Sequence, residues 1–174
     1  MKGREITIHV RLDAKTFRRF SLFDTLRLRK RWVRPVVFAL ILVAFAVIAL
    51  LTGKQQAGMI AAVLLVVGLG LPLVYFGTFF SQVNVKAVDL KPPKAVYTVR
   101  LDFEGARVTN DRKSDENISL KWSQLPAAYR ARDCIYLYAS PIRAFLLPAG
   151  QADVSDEELW EYLVKHMGEK CKRV

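Results

Sequence analysis

The sequence predicts an α+β membrane protein: a transmembrane helical hairpin joined to a small antiparallel β domain that a C-terminal helix closes. Three observations carry this prediction. Residues 35–53 and residues 55–85 form two uncharged runs of nineteen and thirty-one residues, separated by Lys54 alone. Polar and apolar residues alternate at 5–12 and again, between regular turn signals, from 96 to 148. Ser155 then opens a stretch with helical spacing of Leu159, Trp160, Leu163, Val164 and Met167.

Ile6, Ile8, Val10 and Leu12 alternate with Glu5, Thr7, His9 and Arg11. Period two marks a half-buried strand. An isolated strand is unstable in water, and no neighbouring stretch can pair with this one, so its partner must lie in the β domain far along the chain. His9 falls on the polar face and reads as a surface residue. Asp13 can cap a following helix. Residues 14–32 mix Phe17, Phe20, Phe23, Leu26 and Leu28 with Arg and Lys, without one clean apolar stripe. Two readings stand equal: a basic helix lying in a membrane interface, or a plain extension of the first span. Trp32 occupies the place of an aromatic-belt residue.

Pro35 suits a first helical turn. A bilayer core of roughly 30 Å needs about 20 apolar residues as helix, and peptide groups in hydrocarbon must bond internally. Each uncharged run meets both conditions. Two buried helices in a soluble core would instead show a polar face. Gly68, Gly70 and Pro72 lie in the second run. The glycines predict close packing against Ala39, Ala44, Ala46 and Ala49, and Pro72 predicts a kink. No charged residue lies in either run, which counts against transport. The second helix should end by Lys91, because Pro92 and Pro93 cannot continue it.

Charge sets the expected orientation. Residues 1–34 carry eleven Lys/Arg against three acids, and residues 81–174 carry fifteen against thirteen, within a net charge of +11. The excess is therefore juxtamembrane, with Arg27, Arg29, Lys30, Arg31 and Arg34 as the membrane-interface basic cluster. Basic residues beside spans stay cytoplasmic, so both termini are expected in the cytoplasm of a bacterial inner-membrane protein. Anionic lipid headgroups are the expected counterions, in preference to nucleic acid. The expected division is 1–34 for the strand and basic helix, 35–80 for the hairpin, 81–95 for a linker and 96–174 for the cytoplasmic domain.

In that domain Tyr97, Val99, Leu101 and Phe103 alternate up to a Glu104-Gly105 turn, and residues 107–109 return. Residues 111–117 read as a loop. Ile118, Leu120 and Trp122, then 127–131, 134–139 and 144–147, read as further strands of an antiparallel meander. Ser155 with Glu158 forms a capping box, and Gly168 can end the helix. His166 reads as a partner of the helix C-terminal dipole. Cys134 reads as a strand residue and Cys171 as an exposed tail thiol, both reduced in a cytoplasmic domain.

The N-terminal strand, the two-span hairpin, Tyr97 and Phe103 before the Gly105 turn, Trp122-Ser123-Gln124-Leu125, Tyr136-Leu137-Tyr138 and Leu147-Pro148 together resemble the bacterial YcxB-like family over nearly the whole chain. The resemblance implies a pleckstrin-homology-like domain on the cytoplasmic side of a membrane hairpin. It carries over no functional residues. One departure is visible: the family places a basic residue soon after the proline that Pro148 matches, whereas Ala149, Gly150 and Gln151 follow it here.

The chain contains no P-loop, H-E-x-x-H, C-x-x-C or G-x-S-x-G. Asp153, Asp156, Glu157 and Glu158 read as helix-start charges. The loops at 104–107 and 111–117 lack a phosphate-grade basic cluster. No catalytic, cofactor or metal residue is therefore assigned. The expected function is a membrane-anchored, non-enzymatic binding module that meets the lipid bilayer and presents its domain to a protein partner or to lipid headgroups. The alternative is an accessory subunit of a membrane enzyme or transporter complex. Homo-oligomerisation is left open.

Overall fold

The computed structural model describes residues 5–110 and 117–174. The chain is α+β and divides into two compact units, one made of the N-terminal stretch to Phe17 with 89–174, the other of residues 18–88. The loop expected at 111–117 lies outside the described residues except for Asn117.

In the first unit, β1 (Ile6–Leu12) pairs antiparallel with β2 (Lys94–Leu101), from Ile6 opposite Leu101 to Leu12 opposite Lys94, with a bulge between Val10 and Arg11. The distant partner that the alternation required is thus the first strand after the hairpin. Ile6, Ile8, Val10 and Leu12 are all buried. β3 (Gly105–Thr109) and β4 (Ile118–Lys121) extend this sheet in the order β1-β2-β3-β4. A second sheet contains β5 (Ala127–Arg130), β6 (Cys134–Ser140), β7 (Arg143–Pro148) and β8 (Cys171–Arg173) in the order β7-β6-β5-β8. β6 is central and buried from Cys134 to Tyr138, so its continuous apolar run needs no alternation.

Two corrections concern strands. The meander is split into two sheets, and it gains a parallel pair, β5 with β8. Cys171 therefore lies in a strand and is half-buried, where an exposed tail was expected. A three-residue polar strand has too little pattern to be legible. The second correction is Phe103. β2 ends at Leu101, and Phe103 sits in the following turn, 66% exposed. Trp122 likewise leaves its strand for a short 3-10 turn, Trp122–Gln124, yet stays buried with Nε1 donating to the Asp102 carbonyl at 3.0 Å.

Both open edges near the ends of β7 and β1 are covered. The Tyr97 hydroxyl donates to the Leu146 carbonyl (3.1 Å) and accepts from the Leu146 N–H (2.7 Å). Burial raises the Tyr97 phenol well above its ordinary pKa, which keeps it neutral for both roles. Along β1, Gln151 bonds the Arg11 N–H and C=O, and Asp153 bonds the Thr7 N–H and C=O. This is the use of the non-basic stretch after Pro148: Gln151 offers both an acceptor and a donor to a strand edge, which a Lys or Arg could not. Tyr97→Phe should leave the Leu146 groups unpaired in a buried place, at a cost of about 1–3 kcal/mol. A urea titration should show a lower midpoint at unchanged slope.

α4 (Asp156–Met167) packs Leu159, Trp160, Leu163 and Met167 inward. Ser155 caps it by accepting from Glu158 N, and three acids occupy the first turn. Arg130 of β5 forms a bidentate pair with Glu157 at 2.7 and 2.5 Å. That pairing holds the Glu157 carboxyl below the ordinary glutamate range. The link is therefore complete at neutral pH and is lost as pH falls through this lowered pKa.

In the second unit, α2 (Val33–Leu51) and α3 (Ala57–Val88) pack together as a hairpin closed by a turn at 52–56. Both are long and apolar enough to cross a membrane. The seam is built on small residues: Ala39 and Ala46 of α2, Ala57, Ala61 and Gly68 of α3 are buried. A Cβ on Gly68 would meet Leu42 Cβ at 3.1 Å. Gly70 has open space around it, and Ala44 is exposed, so only part of the expected small-residue contact forms. The outer faces remain bare, with Leu51 81% and Leu73 73% exposed. α3 ends at Val88, before the two prolines, and runs through Pro72 as helix.

Candidate functional site: the basic elbow before the hairpin

Asp13 starts the basic segment as predicted. Its carboxylate accepts from Thr16 N at 2.8 Å, and hydrogen bonding from the Thr16 side chain first, then from its backbone, holds the Asp13 pKa below the ordinary value. α1 (Ala14–Leu22) follows and continues as a wider π-helical stretch, Phe23–Leu28. The helix then stops. Arg29 N bonds Asp24 O at 2.9 Å, Lys30 takes a left-handed φ of 48°, and Arg31 N reaches back to Thr25 O at 3.1 Å. A residue at positive φ beyond the last turn, with amides returning to the final carbonyls, is a common helix end. The basic helix is therefore no rigid extension of α2, because an elbow at 29–32 separates them.

The five predicted residues occupy this elbow and the start of α2, but they are not equivalent. Arg27, Lys30, Arg31 and Arg34 are exposed. Arg29 is half-buried, with Nε 2.8 Å from Asp24 Oδ2 and 3.0 Å from Oδ1. Its charge is matched within the fold, so it sets the shape of the elbow and leaves four cations to face outward. Trp32 also acts structurally: its Nε1 donates to the Leu26 carbonyl at 2.9 Å, satisfying one of the orphan acceptors at the helix end. Sequence reading missed both links. The Asp24-x4-Arg29 spacing fits a π turn (i, i+5) and not an α turn, so the ordinary i, i+4 test passes over it.

The amides of Arg29 and Arg31 are both occupied by carbonyls of the preceding helix. What the elbow can do is electrostatic: present four exposed cations to an anionic surface.

The other residues of chemical interest are structural. His9 Nδ1 lies 3.3 Å from the Thr98 hydroxyl on the exposed face of β1. His166 Nδ1 reaches the Tyr162 carbonyl at 2.9 Å, and its ring stacks on Trp122 with centroids 4.8 Å apart. Its helix-end role is thus joined by an aromatic contact that sequence spacing does not reveal. Among the described residues no group of three or more His, Cys, Asp or Glu could hold a metal ion. Burial pushes the Cys134 thiol up to about 12, and raises Cys171 as well. Only a thiolate is readily alkylated. Iodoacetamide at pH 8 should modify the half-buried Cys171 first and reach Cys134 only after unfolding. Mass spectrometry of timed samples would expose equal rates, which contradict the burial of Cys134.

No family model, no curated protein and no solved structure matches the chain.

Proposed function

We propose that the chain is a membrane-anchored, non-enzymatic binding module of the YcxB-like kind, whose pleckstrin-homology-like domain sits on the cytoplasmic side of a two-span hairpin. One observation carries the reading: β1 and β2 are neighbouring strands, yet their connection contains two apolar helices with bare outer faces. Aliphatic surface on that scale is unfavourable in water by about 25 cal/mol per Å² and is accommodated by lipid. Adjacent strands cannot lie on opposite faces of a bilayer. This supports two crossings, with both ends of the chain on one side. The basic bias before α2 favours the cytoplasmic side. Seven strands in two antiparallel sheets followed by an amphipathic helix fit the pleckstrin-homology-like reading, with β8 as an addition. The partners are anionic lipid headgroups at Arg27, Lys30, Arg31 and Arg34, and a protein at the domain.

Reporter fusions at residues 1, 55 and 174, together with alkaline carbonate extraction, test this. The chain should stay in the membrane pellet with cytoplasmic reporters at both termini. Periplasmic activity at either terminus, or release by carbonate, would sink it. Changing Arg27, Lys30, Arg31 and Arg34 to Gln should lower the fraction with correct topology, since each Lys/Arg near an anionic surface contributes about 1 kcal/mol. Unchanged topology and yield would remove this role.

A further inference from the structure

Three unusual features meet in the basic elbow. Phe23–Leu28 is wound as π-helix, a form that is rare beside the α-helix and is found mostly at functional sites. Lys30 takes a φ of 48°, a conformation that a Cβ disfavours and that Gly or Asn usually fills. The Leu26 carbonyl is bonded by the Trp32 indole at 2.9 Å. Backbone of this kind persists where the surrounding structure holds it, and it collects at switch regions. The restraint here is Arg29. Its Nε lies 2.8 Å from Asp24 Oδ2 and 3.0 Å from Oδ1, and its amide bonds the Asp24 carbonyl at 2.9 Å.

That pair belongs to the π register alone. Residues five apart share one face of a π-helix, whereas on an α-helix they stand about 140° apart. Rewinding the segment as α-helix would part Asp24 from Arg29. Arg29 N would return to the Thr25 carbonyl, and Lys30 N to that of Leu26. The second bond displaces the Trp32 indole and takes Lys30 out of its left-handed conformation. Pro35 keeps a break ahead of α2 in either register, because its ring meets the carbonyl four residues back. The two windings therefore differ in one charge. The π register matches Arg29 inside the fold. The α register frees it to join the exposed Arg27, Lys30, Arg31 and Arg34.

We propose that residues 23–31 are a switch set by membrane charge. Neutral headgroups leave Arg29 with Asp24 and the segment in the π register. An anionic lipid surface draws Arg29 away and winds the segment as α-helix. The inference rests on the reading of the basic cluster as a headgroup contact, and it adds the regulation of that contact. A ligand shifts two states only by binding them differently. The difference here is one arginine, which near an anionic surface changes the ratio of the registers about fivefold.

The test uses the full chain, labelled with fluorotryptophan, in nanodiscs of phosphatidylcholine alone or mixed with phosphatidylglycerol. Trp32 is one of three tryptophans, and its fluorine resonance is assigned by its loss in Trp32→Phe. In neutral discs the signal of the bonded indole should dominate. Phosphatidylglycerol should raise a second Trp32 signal and change the ratio about fivefold. Asp24→Asn should raise the second signal in both lipids. Lys30→Gly, which favours the left-handed turn, should suppress it in both. Arg29→Gln should give one ratio whatever the lipid. A native ratio that ignores lipid charge, a lipid response kept in Arg29→Gln, or a second signal that Lys30→Gly leaves untouched would overturn the proposal. The two readings fail separately. Carbonate release of a chain whose Trp32 responds to lipid charge defeats only the anchor, and membrane retention with an unresponsive Trp32 defeats only the switch.

Discussion

Ile8→Asp should unfold the β domain. Ile8 has no exposed surface, and it sits in β1 opposite Val99, with a bridge to Ala152 on its other edge. The substitution removes burial worth about 1.5–3 kcal/mol and places a carboxylate where no water reaches, at a further cost of several kcal/mol. The sum is on the order of a whole domain's stability of about 5–15 kcal/mol. The introduced carboxyl avoids the charge only by taking a proton. Its pKa in the folded state is therefore raised, and the defect should be smaller below the ordinary aspartate range than at pH 8. Limited proteolysis in detergent should show rapid cleavage in 94–174 with the hairpin spared. Thr7→Asp, whose residue faces the other way opposite Arg100, should melt close to the native temperature. Equal protease resistance of Ile8→Asp and the native chain would mean that β1 is not part of the core.

Gly105→Ala should be the next most damaging single change. Gly105 starts β3 opposite Lys121 of β4. An added Cβ would overlap the Leu120 carbonyl oxygen and come within 2.8 Å of Lys121 Cα. Both obstacles are backbone, so no side-chain rotation relieves the clash, and β4 must move away from β3. The movement would strain the Trp122 N to Glu104 O bond at 3.4 Å and the indole bond to Asp102. Overpacking of this kind costs about 1–3 kcal/mol and sometimes more. Because Trp122 lies at the junction, its fluorescence should report the loss in a urea titration. Arg107→Ala, on the exposed face of the same strand, should stay within about 0.5 kcal/mol of the native chain. A Gly105→Ala chain as stable as that control would show that the β3–β4 approach is looser than described.

The same two residues separate what was legible in the sequence from what was not. Ile8 was readable because period-two alternation is a local property, and four apolar residues in strict register leave little choice of element. Gly105 was readable only as a turn glycine. The reason no side chain fits there, the Leu120 backbone fifteen positions on, is set by how β3 and β4 approach.

The basic elbow divides in the same way. The sequence by itself determined that Arg27, Arg29, Lys30, Arg31 and Arg34 stand together ahead of an uncharged run, because charge and hydropathy are read residue by residue. It could not say that Arg29 is matched by Asp24 while the other four face outward, since that depends on a π-helical stretch and a left-handed Lys30. Helical hairpin, strands and capped C-terminal helix were each determined locally, by run length, alternation and capping chemistry. Tertiary structure decided which strand receives β1, that the polar tail becomes β8, that Gln151 and Asp153 cover the β1 edge, and that Phe103 leaves the core. These are pairings between residues far apart in the chain. Their free energy comes from surfaces that exist only once the elements have met, so no window of sequence contains them.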